Sequence, residues 1–389
     1  VRADLPRRAA IVGAHVVTAL CDGLAPTLAA LLEGRSAVAP VSGFDASGTP
    51  DAVAAQLVLP TEAVADGGPT RVETPHGALL DRCARAAHAE GRGTEIAREA
   101  MGAYLALGMV DSPPDALDAA IAASAGDDGA FELDRFFDGA FRSIHPLWPL
   151  AMLNNVVAGQ MAADLDVRGD NLVVTSEADA GVRAFAEALG ALSLGAVRTA
   201  LVAGVADHVS AAALLRAAER GTPSEVLGEG GGALLLEGES SALARGVAIL
   251  GFVAGAASAF GPSEIGPGPS AQAIERAARG ALADADVAVE RVGLLFVEGT
   301  GVEEAEARRA LFGARWAEVA VVAPAIALGH LRAGAPAVHA ALAAGLLRLG
   351  AAPSTAHGRP RKLRAGSVAL ILASGSGGGA AALVVEGPA

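Results

Sequence analysis

"NLVVTSEADAGVRAF", residues 171–185, sets a short β-rich run against the start of a helix. Leu172, Val173, Val174 and Thr175 read as a strand, and the run after the turn reads as a helix. Two acids, Glu177 and Asp179, flank one small residue, Ala178, right at the turn. A strand-to-helix turn is a common mount for a nucleophile, and this one presents a methyl group. The acids suit a helix N-terminus, where the backbone dipole favours carboxylates.

The same design recurs further along the chain. "NLVVTSEADAGVRAFAEALGALSLG" and "EVAVVAPAIALGHLRAGAPAVHAALAAGLLRLG" both read strand, turn, helix. The first is followed by "RTALVAGVADHV" and "GGALLLEGES", the second by "SVALILASGSG" and "GGAAALVVEG". Opening strands for the two halves are "AAIVGAHVV" and "VAILGFVAG". Alternating β-rich and Ala-rich helical runs indicate an α/β fold, here built from two similar halves. The expected division is residues 1–240, with an irregular insertion at about 45–150, and residues 241–389. Within the irregular segment, helices are expected in "HGALLDRCARAAHAEG", "TEIAREAMGAYLALG" and "ALDAAIAASAG". "LAPTLAALLEG" reads as a helix stopped by Gly34.

Composition narrows the function. Of 389 residues, 52% are hydrophobic and only 3% aromatic, so the core must be built from Ala, Val and Leu. The formal net charge of -14 argues against a nucleic-acid or anionic-membrane surface. Cys21 and Cys83 give neither a disulfide framework nor a metal spacing; both read as structural, and the cytoplasm is the expected compartment. "VRADLPRRAAIVG" has no apolar core of a secretory signal. The uncharged stretch "GVAILGFVAGAASAFGPS" is rich in Gly and Ala and reads as a buried strand plus loop, not a membrane span.

Nearly end to end, the chain resembles the β-ketoacyl synthase (condensing enzyme) family of the thiolase fold. The likeness lies in "IVGAHVVTALCDGLAPTLAALLEGRSAVAPVSGFDAS", "LAMLNNVVAGQMAADLDVRGDNLVVTSEADAG", "GEGGGALLLEGESSALARG", "VEGTG", "LGHLRAGAPAV" and "ASGSGGGAAALVV". The resemblance implies a duplicated fold layered α-β-α-β-α. It also implies acyl transfer to a cysteine thiolate, with two histidines and a lysine assisting decarboxylative condensation. Carried over position by position, the cysteine falls on Ala178 and the first histidine on Glu298. The lysine falls on Ala325, and the second histidine is kept as His330. The phenylalanine of the C-terminal loop falls on Ser376, between Gly375 and Gly377. These three residues and Thr300 are the positions expected to border the acyl tunnel.

A methyl group cannot carry an acyl chain, and an ionised Glu298 would repel a malonyl carboxylate and a developing enolate. The resemblance therefore narrows to relatives without the nucleophile. The leading expectation is a chain-length-factor-type subunit of a type II polyketide or fatty-acid-like synthase. It would pair with a catalytic ketosynthase, shape the acyl tunnel and meet an acyl carrier protein that brings its own phosphopantetheine. No cofactor or metal is implied. A second reading is a stand-alone enzyme of altered acyl-transfer, hydrolase or decarboxylase chemistry, with His330, Glu298, Ser176 and Thr300 as its machinery. A third is a homodimeric scaffold that binds a carrier protein without turnover.

Other motifs weigh less. "GEGGGA", from Gly228, formally matches a dinucleotide fingerprint, but an apolar strand follows where a helix is needed; Glu229 reads as a buried structural acid. His15, His145, His208 and His339 are expected to be structural or surface residues, with no metal-ligand spacing among them. "VEEAEARRALFG" reads as a solvated helix face. "RPRKLR" is the one dense basic cluster, so Arg359, Arg361 and Arg364 are the candidate docking residues for an acidic carrier protein.

Overall fold

The structure, a computed structural model, describes residues 8–44, 46, 49, 52–57, 74–109, 115–207, 209–219, 226–299, 301–353 and 360–388. The first half contributes β1 (Ala9–Thr18), α1 (Pro75–Glu90), β2 (Met101–Leu107), α2 (Asn154–Asp164), β3 (Asn171–Val174), α3 (Ala178–Leu194), β4 (Thr199–Ala206) and β5 (Gly230–Gly238). The second contributes β6 (Gly251–Phe260), α4 (Ala271–Asp284), β7 (Val292–Phe296), α5 (Val302–Phe312), β8 (Ala320–Val322), α6 (Ala335–Leu349), β9 (Val368–Gly375) and β10 (Gly379–Glu386). Both runs read β-α-β-α-β-α-β-β. The sheet order is β8-β7-β9-β10-β6-β1-β5-β4-β2-β3, so each half repeats the other outward from the central pair. Within each half the first, fourth and fifth strands pair antiparallel, and the second, third and fourth run parallel.

Only Ala9–Ile11 of β1 meet Gly251–Val253 of β6, so the sheet is joined at a narrow seam. Helices α3 and α6 touch strands of both halves, which places them between the two folded-over parts of the sheet. Helices α1 and α2 pack with the first half and α4 and α5 with the second, each pair sealing its own apolar cluster. The layering is α-β-α-β-α, as the duplicated α/β pattern and its resemblance implied. Small side chains make the middle layer possible. Ala180, Ala184 and Ala188 of α3 face Ala337, Ala340, Ala341 and Ala344 of α6 in one buried cluster. A Cβ on Gly181 would fall 2.6 Å from Cγ of Pro336, so the helices approach where one of them has no side chain. Helix starts follow local chemistry: Thr74 accepts from the Gly77 N–H ahead of Pro75, and Ser270 accepts from the Ala273 N–H.

Two expectations are corrected. "TEIAREAMGAYLALG" does not form a helix; two short 3-10 turns, Gly93–Glu95 and Arg98–Ala100, lead into β2. All seven residues of β2 are buried, and a strand covered on both faces has no alternation to betray it. The expected insertion at 45–150 therefore supplies α1 and β2 to the first half's core. The second opening strand starts at Gly251, four residues into "VAILGFVAG". Among the described residues no helix is long and apolar enough to cross a membrane.

Candidate functional site

The carboxyl ends of the parallel strands converge on one cavity of about 1070 Å³, the usual place for a ligand crevice in such sheets. Ser176, Glu177 and Ala178 arrive after β3, Glu298 after β7, His330 after β8, and Gly375 and Ser376 at the end of β9. The fold thus brings Ala178, Glu298, His330, Gly375 and Ser376 to one wall-lined space. Ala325 opens the short helix Ala325–Leu328 and does not line the cavity. Gly377 does not line it either; its N–H donates to the Pro267 carbonyl at 2.7 Å. Thr300, His208 and Arg359 lie outside the described residues.

Ala178 is the first residue of α3 and is 3% exposed. Its acidic neighbours play separate parts. Asp179, also buried, accepts from Ser176 Oγ at 2.9 Å and pairs with Arg183 at 3.1 Å. Its carboxylate lies against Gly375 and Gly379, where an added Cβ would meet it; at Gly379 the distance is 2.9 Å. The glycine-rich hairpin is therefore required by close approach to a buried acid. Glu177 makes no cap bond to α3. Its two oxygens accept from Ser376 N–H at 2.8 Å and from Arg332 Nη1 at 3.2 Å.

On the opposite strands Glu298 stands between two imidazoles. Its Oε2 is 3.8 Å from His330 Nδ1 and its Oε1 is 3.5 Å from His339 Nδ1. His339, expected to be structural or a surface residue, is buried behind the cavity wall against Glu298. It projects from α6, almost fully buried, with its ring 5.4 Å from that of Phe296. Burial pushes its pKa down, Glu298 opposes that, and His330 adds to it. Glu304 was missed. The face of α5 expected to be solvated is half buried, because α5 packs on α4 and folds Glu304 inward. Glu304 Oε2 accepts from the Gly299 N–H at 3.3 Å, and Oε1 lies 3.8 Å from Arg308 Nη1. Burial raises the Glu304 carboxyl to about 7 against the opposing pull of Arg308. Glu304 lies eight positions past the end of β7, inside a run of acids that masked it.

Arg361 and Arg364 are placed away from the cavity. Arg361 donates to the carbonyls of Ala317 and Glu318, at 3.2 and 2.7 Å, and Arg364 donates to that of Glu290. Those carbonyls precede β8 and β7, so both side chains sit at the amino ends of the parallel strands, opposite the site. Glu229 holds the Leu57 N–H at 2.8 Å and is raised to about 7 by burial, as a structural acid would be. Strand β5 begins within the "GEGGGA" glycines, at Gly230, and no helix opens there. Cys83 is fully buried, which pushes its thiol up to about 12. Among the described residues no three His, Cys, Asp or Glu side chains are grouped to hold a metal.

Residues 7–242 match the N-terminal domain of β-ketoacyl synthase, and residues 250–359 its C-terminal domain. The chain belongs to the β-ketoacyl synthase family. It is 28% identical over 420 residues to a putative polyketide β-ketoacyl synthase 2 of Streptomyces coelicolor, covering 98% of this chain and 95% of that one. It is 33% identical to the tetracenomycin polyketide synthase ketoacyl synthase beta subunit of Streptomyces glaucescens, over 59% of this chain and 64% of that one. Among solved structures, the ishigamide ketosynthase/chain length factor superposes with a TM-score of 0.79 at 22% identity, covering 99% of this chain and all (100%) of that one. A type II polyketide synthase ketosynthase, solved with its acyl carrier protein and bound to a hexaketide, gives 0.80 at 16% identity over 99% and 100% of the two chains. This β-ketoacyl synthase family member is thus ketosynthase-like, with its relatives among polyketide synthase proteins. At its strand-to-helix turn it carries Ala178, flanked by Glu177 and Asp179.

Proposed function

We propose that this chain is the non-condensing, chain-length-factor-type subunit of a type II polyketide synthase, or of a fatty-acid-like synthase of that design. It pairs with a catalytic ketosynthase and shapes the space that holds the growing acyl chain. The observation that carries the reading is Ala178, which lines the cavity at the first turn of α3 and can form no thioester. Glu298 adds a carboxylate on the same cavity, where condensation would build negative charge. The β-subunit and chain-length-factor names among the relatives support the same role. In this reading the protein itself needs no metal or cofactor, and an acyl carrier protein delivers the chain on its phosphopantetheine.

Co-expression with a catalytic ketosynthase from the same gene neighbourhood tests this. The expected result is a stable heterodimer by native mass spectrometry, with product formed only when both chains are present. A homodimer that turns over acyl thioesters alone refutes it. The 3.8 Å approach of Glu298 to His330 favours a second reading, an enzyme of altered acyl chemistry with His330 as its acid–base group. If such turnover is found, H330A should abolish it; an unaffected rate removes His330 from the chemistry.

A further inference from the structure

Glu177 is set between two donors that a bound acid would also seek. Ser376 N–H and the Arg332 guanidinium both line the cavity beside Ala178, and both donate to the Glu177 carboxylate. The Glu177 and Arg332 side chains keep 29% and 24% of their exposure, so the pair sits in the cavity wall rather than on open surface. Arg332 is held at φ 46, a left-handed backbone that a non-glycine residue adopts only where its surroundings impose it. A guanidinium and a backbone amide together make a strong carboxylate-binding pair, because both hydrogen bonds gain from the ligand's charge. Here the chain's own carboxylate occupies them.

An acyl group ending in a carboxylate would have to displace Glu177 or lie beside it. Lying beside it means meeting like charge, and not from Glu177 alone. Glu298, Glu303 and Glu304 also line the cavity. Glu303 accepts from Ser263 Oγ and from the Ala271 N–H, and Glu304 from the Gly299 N–H, so these acids are fixed in place. An uncharged acyl chain meets none of these penalties.

We propose that Glu177 is a specificity-determining residue. By holding two of the cavity's anion-accepting donors, the Ser376 N–H and Arg332, it admits uncharged acyl chains and excludes acyl groups that bear a free carboxylate. This deepens, and rests on, the reading of the cavity as an acyl-chain site. The test is calorimetric titration of butyryl-pantetheine, malonyl-pantetheine and free malonate into the full chain. The proteins are wild type, E177A, E177Q and the E177A/R332Q double variant. Wild type should bind butyryl-pantetheine and reject both malonyl-pantetheine and malonate. E177A should gain affinity for the two anions by about tenfold or more, and the added R332Q should remove the gain. E177Q keeps the shape and an acceptor for the Ser376 N–H, and it should gain in the same direction even if E177A fails to fold. Malonate affinity unchanged in both single variants, or already tight in wild type, overturns the proposal. If butyryl-pantetheine binds no protein in the set, the acyl-chain reading falls, while the malonate comparison still decides what Glu177 does.

Discussion

Replacing Glu304 with Gln should turn a pH-dependent cost into a constant one. In the folded protein burial raises this carboxyl from 4.5 to about 7, with Glu298 pushing the same way and Arg308, the Gly299 N–H and His330 pulling back. The folded state therefore holds the proton more tightly than the unfolded chain. The stability this contributes is complete below the unfolded value of 4.5 and is lost as pH rises through about 7. A difference of that size corresponds to about 3 kcal/mol when the whole window is crossed. Between about pH 5 and about pH 8 the part that changes is roughly 2 kcal/mol, because the unfolded carboxyl is already mostly ionised at the lower end. The E304Q side chain stays neutral throughout, so the variant should exceed wild type by about 1 kcal/mol at the lower pH and by about 3 kcal/mol at the higher, the gap widening by roughly 2 kcal/mol. Urea unfolding at the two pH values gives the comparison directly. Glu229 is raised to about 7 by burial and titrates with the same sign, but it is present in both proteins and cancels in the difference. A gap between E304Q and wild type that does not change with pH would refute the reasoning.

Two substitutions test other parts of the account. G181A places a methyl group 2.6 Å from the Pro336 ring where α3 crosses α6, and should cost about 1–3 kcal/mol in chemical unfolding; a neutral result would mean that the central helices separate freely. R361A should lose about 1 kcal/mol, since its guanidinium holds the carbonyls of Ala317 and Glu318, and should leave carrier-protein affinity unchanged. Lost carrier binding with stability intact would instead support the docking role expected of that residue.

The duplicated α/β plan was legible because its signal is repetition. Each half carries a strand, a turn and an Ala-rich helix in the same order, and a repeat survives substitution of individual residues. The element that escaped was β2. Its Met, Ala and Leu content suits a helix, and its burial between β3 and β4 erases the alternation that marks a half-exposed strand.

The site was legible where chemistry is local and hidden where it depends on what the fold brings together. Ala178 could be read from the turn that holds it, and His330 and Glu298 from the motifs around them. Nothing near His339 announces that its ring will face Glu298, because α6 delivers it from a different strand crossing. Glu177 shows the same limit in reverse. Its position fitted a helix dipole, yet the side chain turns away to clasp Ser376 and Arg332 from two other elements. These contacts bear on the proposed role. Ala178 offers only a methyl group at the turn, but Glu177, Asp179, Glu303 and Glu304 are engaged with backbone N–H groups, hydroxyls or guanidinium groups. A cavity walled by such contacts resists collapse, and the proposed subunit, which shapes a chain without reacting with it, requires a wall of that kind.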